Sequence, residues 1–568
     1  AVDVTSRVRF EFLVSDGQGG QASDSVEFTI LAGHTEPADP QVSIPAVSRE
    51  LVEIVAARDG TQDWSYSWVQ VSGPGVTLQT PESSTLLFRA PDVRAETDLG
   101  FSLARTSTNG EETEQFTVRV SPQSSLILPA VVAGPSTAEQ GSFVGIAVLN
   151  PLDEVDHLHV AGRDATGQLL GGQAELPIGG QAVTSFLVSE VTDSPGVVQS
   201  IALSSDHNPA QAFFLFGTRQ LNRLDGVGQV LDEGVDLAIP LPDGAGKTGS
   251  LWILNPDTEW ATTYQVDLQS FDGVVAGGQG VLAPGGTVTI PLAGFLASRS
   301  DSVGLYLRVT SQRSIRCLAT LASASAWISL SGRAGQARET LVAPHFFFDD
   351  QGGDTKISLV NLGIKPLQGT VEALNDEGDS LGTLDFAVDG NGVFEEPVSS
   401  MFDAAAVQDG PVTGYLLIHL KASGEEAATE WPSVTGAVSF ATAGAEAWAT
   451  LPLLTEGRFE STVMHVTQSP EARLFMGMAL LNLGDSPGIV RIDAISGEGK
   501  PMATSSFLIG SKQRRVGLLN EDPFFGPGFS QVGGHLRIFS DVPLLVYSLV
   551  GDYAGEYLAA VESQRLKR

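Results

Sequence analysis

A single cysteine, Cys317, stands among 568 residues, so no disulfide can form within the chain and a disulfide-stapled extracellular scaffold is excluded. Its setting, SIRCLATLA, alternates like a strand, and the thiol reads as a small buried hydrophobe. Basic residues are scarce as well. The 32 Lys plus Arg face 67 Asp plus Glu, and the formal net charge of −35 repels a phosphate backbone over most of the surface, so no nucleic acid is expected as a partner. No apolar run reaches the ~20 residues that a bilayer helix needs. The longest candidate, LATLASASAWISL, is broken by serines and has the length of a strand pair, so no membrane insertion is expected. No Gly-x-Ser-x-Gly elbow occurs, the eight histidines are scattered, and no segment stands out with its own carboxylate pair or nucleophile and base. The chain therefore reads as non-catalytic and without a cofactor.

What the sequence has in abundance is turn chemistry: 63 glycines and 30 prolines, with no collagen period, punctuate short alternating apolar runs. That pattern describes all-β modules joined by turns. The first run, FEFLVSDGQGGQASDSVEFTI, is a hairpin: Val8, Phe10, Phe12 and Val14 share one face, Val26, Phe28 and Ile30 another, and Asp16 to Gly20 supply the turn. Residues 64–93, WSYSWVQVSGPGVTLQTPESSTLLFRAPDV, place Trp64, Tyr66 and Trp68 on one strand face, where at least one ring fills a core. Residues Tyr66, Trp68, Gln70, Gly73, Pro74, Val76, Leu78, Phe88, Ala90, Pro91 and Val93 resemble the pattern of PKD-like repeats, and the resemblance implies an Ig-like β-sandwich over residues 37–122. The hairpin around Asn109-Gly110 that ends this unit overlays the first one at offsets of 91 and 90 residues. Residues 1–36 then read as the C-terminal hairpin of a module about 60 residues of which would precede Ala1, by the logic of internal repeats. If Ala1 is a mature start instead, strands of a neighbouring molecule would complete it.

Beyond Pro122 a longer period emerges. GIAVLNP, SLWILNP, KISLVNLG and MALLNLG end in Asn150, Asn255, Asn361 and Asn482, spaced by 105, 106 and 121 residues. A polar turn follows each Asn by 17 or 18 residues, at Gly167, Gly273, Gly378 and Gly499. A second turn comes at Gln181, Gly286, Gly392 and Lys512, and a closing strand pair ends each copy. The third copy is longer by a polar loop, SGEEAATEWPS. The repeats have the size and turn density of β-sandwiches over residues 123–229, 230–338, 339–457 and 458–568, and they resemble tandem modules of long secreted bacterial surface proteins. The Asn side chain is expected to bond its own following backbone and end the strand.

Candidate chemistry is sparse. GAGKTGS, residues 244–250, matches only the end of a phosphate loop: Leu241 stands where its first Gly belongs, and a strand follows in place of a helix. His157 and His159 share a strand face, with Asp156 and Asp164 as nearby carboxylates but no third spaced ligand. Asp16, Asp24, Asp349, Asp350 and Asp354 are candidate calcium ligands in acidic turns, although their spacing reproduces no calcium loop. Of the tryptophans that could read glycans, Trp260 and Trp431 lie in polar loops, whereas Trp252, Trp327 and Trp448 lie in strands.

These observations describe tandem Ig-like β-sandwich modules in an elongated array, each touching mainly its neighbours. The function they imply is that of an extracellular or cell-surface structural protein, a stalk, filament, sheath or surface-layer component. It would associate with itself or with other cell-surface proteins, possible strand complementation running through the opening hairpin. The alternative is a carbohydrate-binding, adhesive accessory region of a larger secreted protein.

Overall fold

The computed structural model describes residues 6–15, 21–30, 44–47, 51–55, 64–91, 93, 97–107, 110–121, 126–129, 142–191, 197–206, 211–218, 224–228, 232–242, 248–270, 273–296, 304–322, 327–337, 339–402, 411–422, 433–442, 448–555 and 557–565. The chain is all-β and divides into two compact units, Ala1–Gln123 and Ser124–Arg568.

In the first unit, Ser6–Ser15 and Gln21–Ile30 pair as the antiparallel hairpin read from the sequence, with Phe10 opposite Val26. Two further sheets enclose a core of Trp68, Phe88, Phe101, Leu103 and Val118. Trp68 fills that core and donates its indole N–H to the Ser83 carbonyl at 2.9 Å, so burial leaves no polar atom unpaired. Tyr66 packs against the same core from a partly buried position. Gln70 accounts for the spacing of the motif. Its amide donates to the carbonyls of Ser72 and Pro74 and its oxygen accepts from Val76 N, which clamps a loop that Gly73 enters at φ +85°.

In the second unit each repeat is a pair of antiparallel sheets. One sheet carries the strand that ends at the asparagine, successively Ser142–Leu149, Thr248–Leu254, Asp354–Asn361 and Leu474–Asn482. The other carries the hairpin of the first turn, as in Asp156–Arg163 with Leu169–Ile178, or Gly488–Ile495 with Pro501–Ile509. The two closing strands are separate in the first and third repeats, Ser200–Ser205 then Gln211–Thr218 and Val412–Ala422 then Ser433–Ala441, and they lie in opposite sheets instead of pairing with each other. In the second and fourth they form a single 18-residue strand, Leu305–Ala322 and His535–Asp552. The half Leu305–Thr310 pairs within one sheet and the half Arg316–Ala322 within the other. In all four repeats the closing segment thus passes from one sheet to the other, and in the second and fourth it does so as one unbroken strand.

The asparagine does more than end a strand. Each is 2% exposed or less. Its Oδ1 accepts from the backbone N–H two residues on, as expected: Leu152, Asp257, Gly363 and Gly484 at 2.8–3.1 Å. Its Nδ2 donates forward to Glu154, Trp260, Lys365 or Ser486 and also to a carbonyl 28 residues away, at Ile178, Ala283, Asp389 or Gly510. Those distant carbonyls begin the second turn, whose left-handed residues are Gln181, Gly285, Asn391 and Lys512. Two landmarks that are separate in the sequence are thus one buried polar cluster.

The second turn docks on the first turn of the preceding repeat. Thr287 N donates to Ala165 O at 3.0 Å, Arg514 N to Asp376 O at 2.9 Å, and Val183 N to Gly497 O at 2.9 Å. The last of these joins the fourth repeat back to the first. Gln211 Nε2 donates to Arg565 O at 2.6 Å, Gln564 Nε2 donates to Ala212 O at 3.0 Å, and Ala147, Leu149 and Phe213 of the first repeat belong to the fourth repeat's core. The four tandem repeats therefore close on themselves, and the elongated array does not describe them: the first and last copies touch. Each docking sheet is buried on both faces, its own core on one side and the preceding repeat's core on the other. Trp252, Leu318 and Trp327 of the second repeat enter the first repeat's core, Trp448 of the third enters the second's, and Ala479, Tyr547 and Leu558 of the fourth enter the third's.

First-turn glycines make the approach possible. A Cβ on Gly499, at φ +81°, would lie 2.1 Å from Gly180 O of the first repeat; on Gly167, at φ +84°, it would lie 2.4 Å from Pro284 O. Gly555 has a similar φ, +74°, with nothing within 4 Å. Gly555→Ala is expected to cost about 1 kcal/mol from the backbone alone. Gly499→Ala should cost roughly 2–4 kcal/mol, since it also displaces the docked turn. Denaturant unfolding of both variants checks this, and equal losses would mean that the turns do not dock.

Candidate functional site

The closing strands Leu224–Gly228, Trp327–Ser331, Trp448–Pro452 and Leu558–Ala560 meet at the centre of the four repeats, each against the next and the fourth against the first. Their register places Gly226, Ser329, Thr450 and Ala560 at one level, around a cavity of about 30 Å³, room for a water molecule or two. Only small residues fit at the point where four strands converge.

One residue breaks the apolar pattern of the neighbouring position on these strands. Asp225 is 1% exposed and occupies the position held by Ile328, Ala449 and Ala559 in the sister strands. Its Oδ2 accepts from the Ser329 N–H and from the Ser329 hydroxyl at 2.7 Å, while Oδ1 faces the Gly226 and Ala560 backbone without an aligned hydrogen bond. Burial pushes its pKa up to about 7, against the pull of the Ser329 donors. A second charged group crosses the centre. Arg333 pairs with Asp232 at 3.2 Å and with Glu562 of the fourth repeat at 2.5 Å. Burial works against its charge, and the two carboxylates outweigh it and hold the guanidinium protonated.

Two further histidines are buried for structure. His535 is fully buried with neither ring nitrogen bonded, and burial lowers it to about 3. His345 is lowered to about 3 by burial and by Arg514, whose guanidinium also meets Asp376 at 2.6 Å and Thr413 at 2.9 Å. Both stay neutral in the folded chain. Cys317 is buried as expected, and burial raises its thiol pKa.

The sequence candidates fall elsewhere. His157 and His159 do share a face, and both reach Asp206 at 3.4 and 2.8 Å. That partner lies 47 residues beyond His159, outside any local motif. Asp164 instead closes its own turn by accepting from Thr166 and Gln168. Asp349 accepts from Gln351 N and Gly353 N, Asp350 from the Gln351 side chain, and Asp354 from Ser399 and Thr355, so these carboxylates shape turns. Asp24 sits opposite Phe12 in the first hairpin, and Asp16 lies outside the described residues. Among the described residues no group of three His, Cys, Asp or Glu side chains is arranged to hold a metal ion. Residues 243–247 lie outside the described residues, and the chain continues as the strand Thr248–Leu254. Trp252, Trp327 and Trp448 are 2–5% exposed, whereas Trp260 is 58% exposed under the Arg313 guanidinium, 5.3 Å from the ring centroid. Trp431 lies outside the described residues. No helix among the described residues is long and apolar enough to cross a membrane.

No protein-family model matches the sequence, and no curated protein does. Among solved structures, the chain is similar to a Photobacterium 2,6-sialyltransferase in complex with CMP and lactose, at 22% identity and a TM-score of 0.14 over 14% of this chain and 17% of that one. It is also similar to SGBP-B of the Bacteroides ovatus mixed-linkage glucan utilization locus in complex with a mixed-linkage heptasaccharide, at 12% identity and a TM-score of 0.13 over 55% of this chain and 93% of that one. Overlaps at such TM-scores say nothing about what this chain binds.

The Asp225 carboxyl sets a pH dependence. Its folded pKa lies above the unfolded 3.8, so its contribution is full below about pH 4 and is lost as pH rises through about 7. Asp225→Asn, which cannot titrate, is expected to gain roughly 2–4 kcal/mol on the wild type between pH 4 and pH 8. Denaturant unfolding at both pH values measures the difference, and a constant offset would contradict a buried, protonated Asp225.

Proposed function

We propose that the chain is a non-catalytic scaffold of the extracellular or cell-surface kind, built of Ig-like and PKD-like β-sandwich modules with the boundaries given above. The observation that carries this reading is how the repeated residues are used. The asparagine, the first-turn glycine, a left-handed residue in the second turn and the centre-facing small residues recur in each copy, and they serve to close loops and to dock one repeat on the next. An enzyme grafted on such a frame would be expected to differentiate one copy around convergent titratable groups. The groups that are differentiated, Asp225 with Ser329 and Arg333 with Glu562, lie between repeats at the centre and lock the closed block together. The acidic surface keeps such blocks apart from like-charged surfaces and soluble. The opening hairpin, which pairs with no other strand among the described residues, is where strand addition would join copies or receive a cell-surface partner.

A second reading rests on Trp260. Its loop is one residue longer than its sisters, because Asn255 reaches the carbonyl five residues on where the others reach four. The loop presents an exposed indole beside Arg313 and Asp257, a platform on which a sugar ring could stack. A glycan array probed with the wild type and with Trp260→Ala decides between the two. The scaffold reading expects no retained glycan and identical arrays. Retention that disappears in Trp260→Ala would replace it with the adhesive reading.

A further inference from the structure

The four docking surfaces are copies of one arrangement, so a difference between them carries information. On the face of the docking sheet that meets the preceding repeat, Ala147 corresponds by register to Trp252, Ser358 and Ala479. Phe143, Gly145, Leu187 and Leu215 correspond in the third repeat to Asp354, Lys356, Pro397 and Ser439, a set whose polar side chains need no apolar cover. Between the first and second repeats, Trp252 occupies the Ala147 position with its indole 2% exposed. Between the third and fourth, the strand Thr340–Phe348 runs past His345 and packs on both Leu474–Asn482 and His535–Asp552. Where the fourth repeat meets the first, neither device is present. The matching strand Arg458–Met464 stops, and His465 turns the chain at φ +61°.

The result is a groove of about 220 Å³ with Gly145, Ala147 and Ser185 as its floor and Phe143, Leu187, Leu215 and Phe213 among its walls. His465 closes one end with its ring nearly parallel to Phe213, at 12° and 6.3 Å between centroids. Apolar cavities of about 150 Å³ already admit a benzene ring. We infer that the groove between the first and fourth repeats binds one small, uncharged, planar aromatic molecule of the indole class, filling the place that Trp252 takes between the first and second. Ser185 on the floor and Glu190 at the rim are acceptors for a ring N–H, with Glu190 Oε2 already receiving Leu187 N at 2.8 Å. Burial holds His465 below its ordinary pKa, so no positive charge lines the groove at neutral pH and an aromatic acid is disfavoured there. This inference is independent of the scaffold reading.

The test is ligand-observed fluorine NMR with 5-fluoroindole on the full chain. Saturable binding is expected, displaced by indole and at least about tenfold less by indole-3-acetate, a difference typical of an uncompensated charge in an apolar site. Ala147→Trp supplies the ring from within and should abolish the signal without lowering the melting temperature. Gly145→Leu is the second variant: a Cβ there meets nothing closer than 3.8 Å, so the side chain can enter the groove, and it too should abolish binding. No saturable binding in the wild type, or binding unchanged in both variants, overturns the inference. Unfolding of both variants overturns it as well, because a groove with room for indole accommodates either side chain.

Discussion

The arrangement of the four repeats depends on one carboxamide in each. Asn150, Asn255, Asn361 and Asn482 sit at the end of a core strand, nearly or wholly without solvent, and every hydrogen bond they make is to backbone. A buried carboxamide left unpaired costs about 1–3 kcal/mol, so the loops must come to it. Nδ2 holds the loop after the strand and the second turn 28 residues later, and that turn is the surface offered to the preceding repeat. Local satisfaction of one side chain therefore fixes the geometry of a long-range interface.

Closure follows because the docking recurs around the set. At three junctions turn meets turn through a backbone hydrogen bond, and where the third repeat meets the second, Tyr306 and Arg308 reach Asn391 instead; the docking sheet buries its second face in the preceding core, and the last repeat returns to the first. In an open row, the first repeat's docking face and the fourth repeat's open core would both meet water. In the closed set they cover each other, with Phe213, Leu149 and Ala147 against Met464, Val466 and Met478. The centre then tolerates only small side chains, and the exceptions there are paired: Asp225 with Ser329, and Arg333 with Glu562. Removing one member of the part-buried Arg333–Glu562 pair leaves the other desolvated without its partner, which makes the pairing a constraint on how the second and fourth repeats sit.

Much of this was legible in the sequence. Alternation and glycine-rich turns located the strands, the recurrence of Asn located the repeats, and the polar setting of Trp260 separated it from the three buried strand tryptophans. Closure was not legible, because it depends on long-range contacts such as the Gln211 side chain with the Arg565 carbonyl, 354 residues apart. A signal for it was nevertheless present. The runs GIAVLN, SLWILN and MALLN are apolar at successive positions, not alternate ones, which marks sheets covered on both faces. A row of sandwiches with solvated outer faces would not need that. Asp225 was missed because Asp-Gly in LDGVG has the composition of a turn, although it lies within a strand. Asp206 was missed because its partnership with His157 and His159 is made across strands, not along one.

The central claim is that the four repeats form a closed set, and electron microscopy of the full chain tests it most directly. Class averages are predicted to contain four lobes around a common centre, with the fourth in contact with the first. Four lobes strung in a row, with the first and last apart, would contradict the account.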